Sequence, residues 1–125
     1  MTKWLSLIAG GMMGTVSRYF LGGVVYRWVG DSFPYATLAV NLSGCLILGF
    51  LLGVNEKKFF LTQDTQILLV TGFCGAFTTF SALILETANL MRDGTYAHAF
   101  LNIGISILAG LLIFKTGMAL STLVA

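Results

Sequence analysis

Ionisable side chains are scarce in this chain. Its 125 residues hold seven Lys and Arg, five Asp and Glu and one His, so charged residues make up 10% of the sequence. A soluble domain carries about 25%. So few charges leave too little polar surface to cover a globule in water, and a free-standing soluble fold is excluded. Proline occurs once, as Pro34, in a stretch where it interrupts no helix. Two cysteines and a single histidine, with no metal spacing between them, offer neither a disulfide framework nor a metal motif. No nucleophile–base pair and no phosphate-binding loop is present, so the sequence does not point to an enzyme.

The residues that are present are 57% hydrophobic. They fall into four apolar runs, from Trp4 to Tyr26, Thr37 to Val54, Ile67 to Met91 and Ala97 to Leu120. Each approaches the roughly 20 apolar residues that a membrane-spanning helix needs. The charges concentrate in the connections, as in Glu56, Lys57 and Lys58, which follow Asn55. The expected fold is therefore an all-α membrane protein of four transmembrane helices, forming one domain over residues 1–125. The first run is too long for a signal-peptide core and Arg18 interrupts it, so it is expected to remain as a span. The two halves do not align as internal repeats.

Lys and Arg flanking the spans set orientation, and here they are nearly balanced. One side has Lys3, Lys57, Lys58 and, by snorkelling, Lys115; the other has Arg27 and Arg92. So small a bias permits insertion in both directions, and hence an antiparallel dimer. Transport proteins often build a midplane site from inverted repeats. A chain without repeats obtains the same symmetry by pairing with an inverted copy, so a dual-topology homodimer is expected. Gly10 and Gly14 in the first run, and Gly49 and Gly53 in the second, have the spacing that lets helix backbones approach.

Polar residues inside the runs are the functional candidates. Arg18 lies on the face of Gly14 and either pairs with carbonyls or an acid, or attracts an anion. Glu86 is read as a structural hydrogen-bonding group, His98 as an interfacial residue, and Cys45 and Cys74 as small packing residues. Asn41 sits early in the second run. Asn102 and Ser106, four apart, share one face of the fourth, which Gly110 continues. Such a stripe is either interhelical glue or the lining of a hydrated path. The stretch Gly72 to Ser81, GFCGAFTTFS, lies mid-run. Its two glycines and adjacent threonines weaken a helix there, with Phe77 and Phe80 flanking the weak point. Either the helix breaks in mid-membrane, freeing backbone groups for ions, or it runs on as an ordinary helix with packed phenylalanines.

Three segments, GGMMGTVSRYFLG (Gly10 to Gly22), TLAVNLSGCLILGF (Thr37 to Phe50) and GFCGAFTTFSALILE (Gly72 to Glu86), carry a family resemblance. With its Gly-x-x-Gly-x-x-x-Arg-Tyr pattern, Val-Asn pair and Gly-x-x-Thr-Thr-Phe-Ser break in order, the chain resembles the Fluc, or CrcB, family of fluoride channels over its whole length. The resemblance implies an antiparallel homodimer in the cell inner membrane, a third helix broken mid-membrane, passive fluoride export and a structural sodium ion at the dimer centre. It also implies roles. Phe80, Leu83, Asn41, Thr79, Ser81, Asn102, Ser106 and Arg18 would belong to the fluoride pathway, and the backbone carbonyls of Gly75 and Thr78 would bind the sodium. The chain departs from the family's usual pattern at Leu83, where a second phenylalanine is common, at Ile84, where a serine is common, and at Gly110, where a hydroxyl is common. Two other classes share parts of the pattern. A small dual-topology, proton-coupled multidrug exporter is expected to hold a carboxylate in the first helix, where this chain has Arg18. A non-transporting packing subunit accounts for the glycines and asparagines but not for the helix-breaking cluster.

Overall fold

A computed structural model describes residues 2–58 and 61–124; the side chain of Lys58, counted above among the flanking charges, lies outside the described residues. The chain runs through α1 (Thr2–Val29), α2 (Tyr35–Lys58), a short α3 (Gln63–Gln66), a π-helical run (Ile67–Cys74), a single turn α4 (Gly75–Phe77), α5 (Phe80–Arg92) and α6 (Tyr96–Ser121). From α3 to α5 these pieces make one 30-residue span, Gln63–Arg92. That span, α2 and α6 are long and apolar enough to cross a membrane. α1 has the length, at 28 residues, but Arg18 and its five glycines leave it less apolar than the other three.

The helices stop where the sequence supplies a reason. Gly30 and Gly94 adopt positive φ, at 77° and 79°. Gly30 N–H returns to the Tyr26 carbonyl at 2.9 Å and Gly94 N–H to the Met91 carbonyl at 3.1 Å, the glycine-terminated ending that satisfies orphan carbonyls. Pro34 precedes α2 and its carbonyl accepts from Leu38 N–H at 3.1 Å. Thr62 caps α3 through its hydroxyl.

Two helix pairs dominate the packing: α2 lies along α6, and α1 lies along the π-helical run. Both depend on glycine. A Cβ on Gly10 would collide with the Leu68 carbonyl and one on Gly14 with the Phe73 carbonyl. Across the other pair, Gly49 faces the Phe114 carbonyl and Gly117 the Leu46 carbonyl with equally little room. The small-residue spacing expected to draw backbones together thus acts at both seams. Aromatic rings add to the α1 side, where Phe73 and Phe77 stack with centroids 5.4 Å apart. His98 sits exposed at the start of α6, edge-on to Phe33 at 5.9 Å, in keeping with an interfacial position. The outer faces stay apolar: Tyr19, Phe20 and Phe80 are 87%, 72% and 75% exposed. A single chain therefore leaves a surface that only lipid or further protein can cover.

Candidate functional site

The third span is broken as expected, but by the threonines alone. Thr78 has φ −79°, ψ 156° and Thr79 φ −146°, ψ 113°, both extended, between α4 and α5. Gly75 keeps helical angles, and Gly72 is buried against Gly10. These two glycines serve close approach and an open face, and do not unwind the chain.

Asn41, reaching across from α2, holds the break. Its Nδ2 donates to the Thr79 carbonyl at 3.1 Å, and its Oδ1 accepts from Thr79 N–H at 2.7 Å. One side-chain amide thus satisfies both backbone groups of a residue outside any helix. In a membrane this is a requirement, because an unpaired backbone group there costs several kcal/mol. Thr79 then caps α5, its hydroxyl accepting from Ala82 N–H at 3.2 Å. It also lies 3.4 Å from the Ser81 hydroxyl.

These bonds decide which carbonyls are released. In a continuous helix, N–H of residue i bonds the carbonyl of residue i−4. Thr79 N–H would serve Gly75, and Ala82 N–H would serve Thr78. Both donors are taken by side-chain oxygens instead. The two carbonyls named from the resemblance as sodium ligands are among the four, Gly75 to Thr78, that lose their helical partners at the break. Thr78 does bond back within its own segment, its hydroxyl donating to the Cys74 carbonyl at 2.9 Å, but the helix it bonds back into ends there.

Around the break lies a cavity of about 410 Å³, lined among others by Asn41, Gly75, Thr78, Thr79, Phe80, Leu83 and Ser106. A Cβ on Gly75 would meet nothing within 4 Å, so this wall is open. A second cleft, of about 690 Å³, contains Arg18 with Tyr19, Thr37 and Val40. Thr79 lines both. Among the described residues no carboxylate lies within ion-pair distance of Arg18; the one ion pair is the exposed Arg92–Asp93 contact at 3.8 Å. Ser81 is exposed on the first turn of α5.

The expected polar stripe of α6 divides. Ser106 lines the cavity and its hydroxyl is buried without a partner among the described residues. Asn102, 1% exposed, is turned into α5, where its Nδ2 donates to Thr87 Oγ1 at 3.1 Å. Thr87 in turn donates to the Leu83 carbonyl at 2.7 Å. Asn102 therefore ties α6 to α5, and of the two only Ser106 lines the cavity. Glu86 takes the hydrogen-bonding position expected of it, accepting from Thr37 Oγ1 at 2.6 Å, while its Oε2 is buried without a partner among the described residues. Sequence reasoning did not single out Thr37 or Thr87. The signal for Thr37 was its place one turn before Asn41, on the same face of α2.

The family model described as CrcB-like protein, Camphor Resistance (CrcB), matches residues 5–118. The chain belongs to the CrcB family. Full-length relatives agree. A protein of Maridesulfovibrio salexigens named fluoride-specific ion channel FluC is 40% identical over 99% of this chain and 98% of its own length. Proteins of the same name from Dehalococcoides mccartyi and Solidesulfovibrio magneticus are 42% and 37% identical, over 98% and 99% of this chain and 95% and 100% of their own lengths. The relatives are channels by name, not enzymes. For this CrcB-family chain the contrast between Asn102 and Ser106 has a measurable consequence. Asn102→Ala should lower thermal stability in detergent by about 1–2 kcal/mol, because it removes a buried hydrogen bond. Ser106→Ala should leave stability unchanged or raise it by up to about 1 kcal/mol, because an unpaired buried hydroxyl is a cost. Equal losses in the two variants would contradict the division of the stripe.

Proposed function

We propose that this chain is a fluoride-selective channel that lets fluoride leave the cell passively, working as an antiparallel homodimer in the inner membrane. The observation that carries this assignment is the full-length match, near 40% identity, to relatives named fluoride-specific ion channel FluC. The chemistry of the cavity supports it. Fluoride is small and tightly hydrated, so a path must replace its water with donors. The unpaired Ser106 hydroxyl and the Asn41 amide supply conventional ones. An aromatic ring is negative on its face and positive at its edge, so the edge of Phe80 suits an anion that its face repels. Weak donors also let the ion leave, which conduction requires. Arg18, without an ion-pair partner among the described residues, would draw anions toward the neighbouring cleft. Leu83, buried at the cavity wall, provides no ring edge, so Phe80 bears that role alone. A proton-coupled exporter is less favoured, since the membrane part of α1 holds Arg18 and no carboxylate.

Reconstituted protein should release fluoride from liposomes with no proton gradient and strongly reject chloride. Phe80→Ile should cut fluoride efflux by roughly tenfold, about 1.4 kcal/mol of barrier, whereas Leu83→Phe should be tolerated. Equal fluoride and chloride efflux would overturn the assignment, and full efflux in Phe80→Ile would remove the ring from the path.

A structural sodium ion is proposed between the two copies, held by the carbonyls of Gly75 and Thr78 from each. The fit rests on the diverted donors at the break and on the open face of Gly75. Among the described residues no group of three or more His, Cys, Asp or Glu is placed to hold a metal, so backbone oxygens are the natural ligands. The Gly75 and Thr78 carbonyls would hold the ion, whose positive charge would offset their dipoles and help fasten the copies together. The dimer should then be more stable in sodium than in a large organic cation, with C-terminal tags found on both membrane faces. A dimer indifferent to sodium would contradict the ion, and tags on one face only would contradict dual topology.

A further inference from the structure

We propose that Cys45 and Cys74 form a two-thiol site for a thiophilic, two-coordinate metal ion within the cavity at the break, and that filling it closes the ion path. The two cysteines, expected from sequence to be mere packing residues, come from different elements, α2 and the π-helical run. Both line the same roughly 410 Å³ cavity as Asn41, Phe80 and Leu83. The two elements approach closely at this level. A Cβ on Gly44, the neighbour of Cys45, would collide with Thr78 Cγ2. Thr78 is fastened to Cys74, its N–H and hydroxyl reaching the Cys74 carbonyl at 3.1 and 2.9 Å. Neither cysteine is in a disulfide. Behind Cys45 stands Gly110 of α6, where an added Cβ would lie 3.6 Å from Sγ, so the sulfur has a wall on one side and the cavity on the other.

Soft sulfur ligands select soft metals, and the thiolate is the form that binds. Mercury(II), the simplest probe of the class, takes two sulfurs in a linear arrangement. From mercuric chloride, two S–H and two Hg–Cl bonds break, two Hg–S bonds form, and two protons and two chloride ions pass to water. No electrons are exchanged. The product, a dication with two thiolates, is neutral, so the membrane interior is not asked to hold a net charge. Hard cations gain nothing from this pair. A bound metal occupies space that an ion passing Phe80 and Asn41 needs.

The proposal rests on the channel assignment, and the experiment separates the two. Fluoride efflux from proteoliposomes is measured before and after a small molar excess of mercuric chloride, and bound mercury per chain is read by intact mass spectrometry. One mercury per chain is expected, with efflux falling to the protein-free leak and recovering in dithiothreitol. Cys45→Ala and Cys74→Ala should each lose tight binding and inhibition, every variant being compared with its own mercury-free rate; Cys45→Ser and Cys74→Ser serve where an alanine variant does not fold. Inhibition that persists in the double variant, mercury bound with efflux undiminished, or no mercury bound would each overturn the proposal. Absence of fluoride efflux before mercury would instead defeat the channel assignment, while the mass measurement would still decide whether the thiols bind the metal.

Discussion

One side-chain amide carries the functional part of this molecule. The third span must cross a medium without water, yet two of its residues, Thr78 and Thr79, have left the helix. An irregular backbone survives at membrane depth only where protein satisfies it. Asn41 does so with matched polarity: its amide nitrogen serves a carbonyl and its amide oxygen serves an N–H of the same residue. Reversing the amide would set like groups against like, so the chemistry fixes its orientation. From this bridge follow the cap on α5, the released carbonyls of Gly75 and Thr78, and the open space in which Phe80, Leu83 and Ser106 meet.

The rest of the fold brings Asn41 to its place. α2 is pressed against α6 at Gly49 and Gly117, and α1 against the π-helical run at Gly10 and Gly14. Lipid offers no hydrophobic drive for helices to associate, so close backbone contact has to supply the packing. The hydrogen-bonded contact of Asn102 with Thr87 fastens α6 to α5. These seams fill the inside of the unit and leave large apolar side chains outside, Tyr19 and Phe80 among them. That outer surface fits the proposed pairing of two inverted copies, each completing a path that one copy leaves open on its side.

Much of this was legible in the sequence, and the failures have physical causes. Three of the four expected spans are apolar enough to cross a membrane, because apolar length is a property of composition. α1 falls between classes, since its five glycines, only Gly10 and Gly14 of them in close packing, and the charge of Arg18 dilute its apolarity. The break falls within the ten residues whose glycines and threonines together weaken a helix, but only the threonines leave it. Glycine lowers helix propensity without forcing a break: Gly72 packs on Gly10, and Gly75 keeps helical angles with an open face. Spacing of four put Asn102 and Ser106 on one helix face, yet a face need not have one neighbour along its whole length. Asn102 meets Thr87, whereas Ser106 lies at the cavity wall. The grouping of Cys45 and Cys74 in one cavity depends on how α2 meets the third span, which no spacing within either segment encodes.

The central claim is that Asn41, and not the helix, holds Thr79 N–H. Residue-resolved amide exchange on the membrane-embedded protein tests it directly, because exchange reports the opening of individual hydrogen bonds. In the unaltered chain Thr79 N–H should exchange slowly. In Asn41→Ala it should lose its protection, while amides in the middle of α2 and α6 keep theirs. If Thr79 stays as protected without the asparagine as with it, its N–H is bonded within a continuous third helix, and the broken span with everything built on it is wrong.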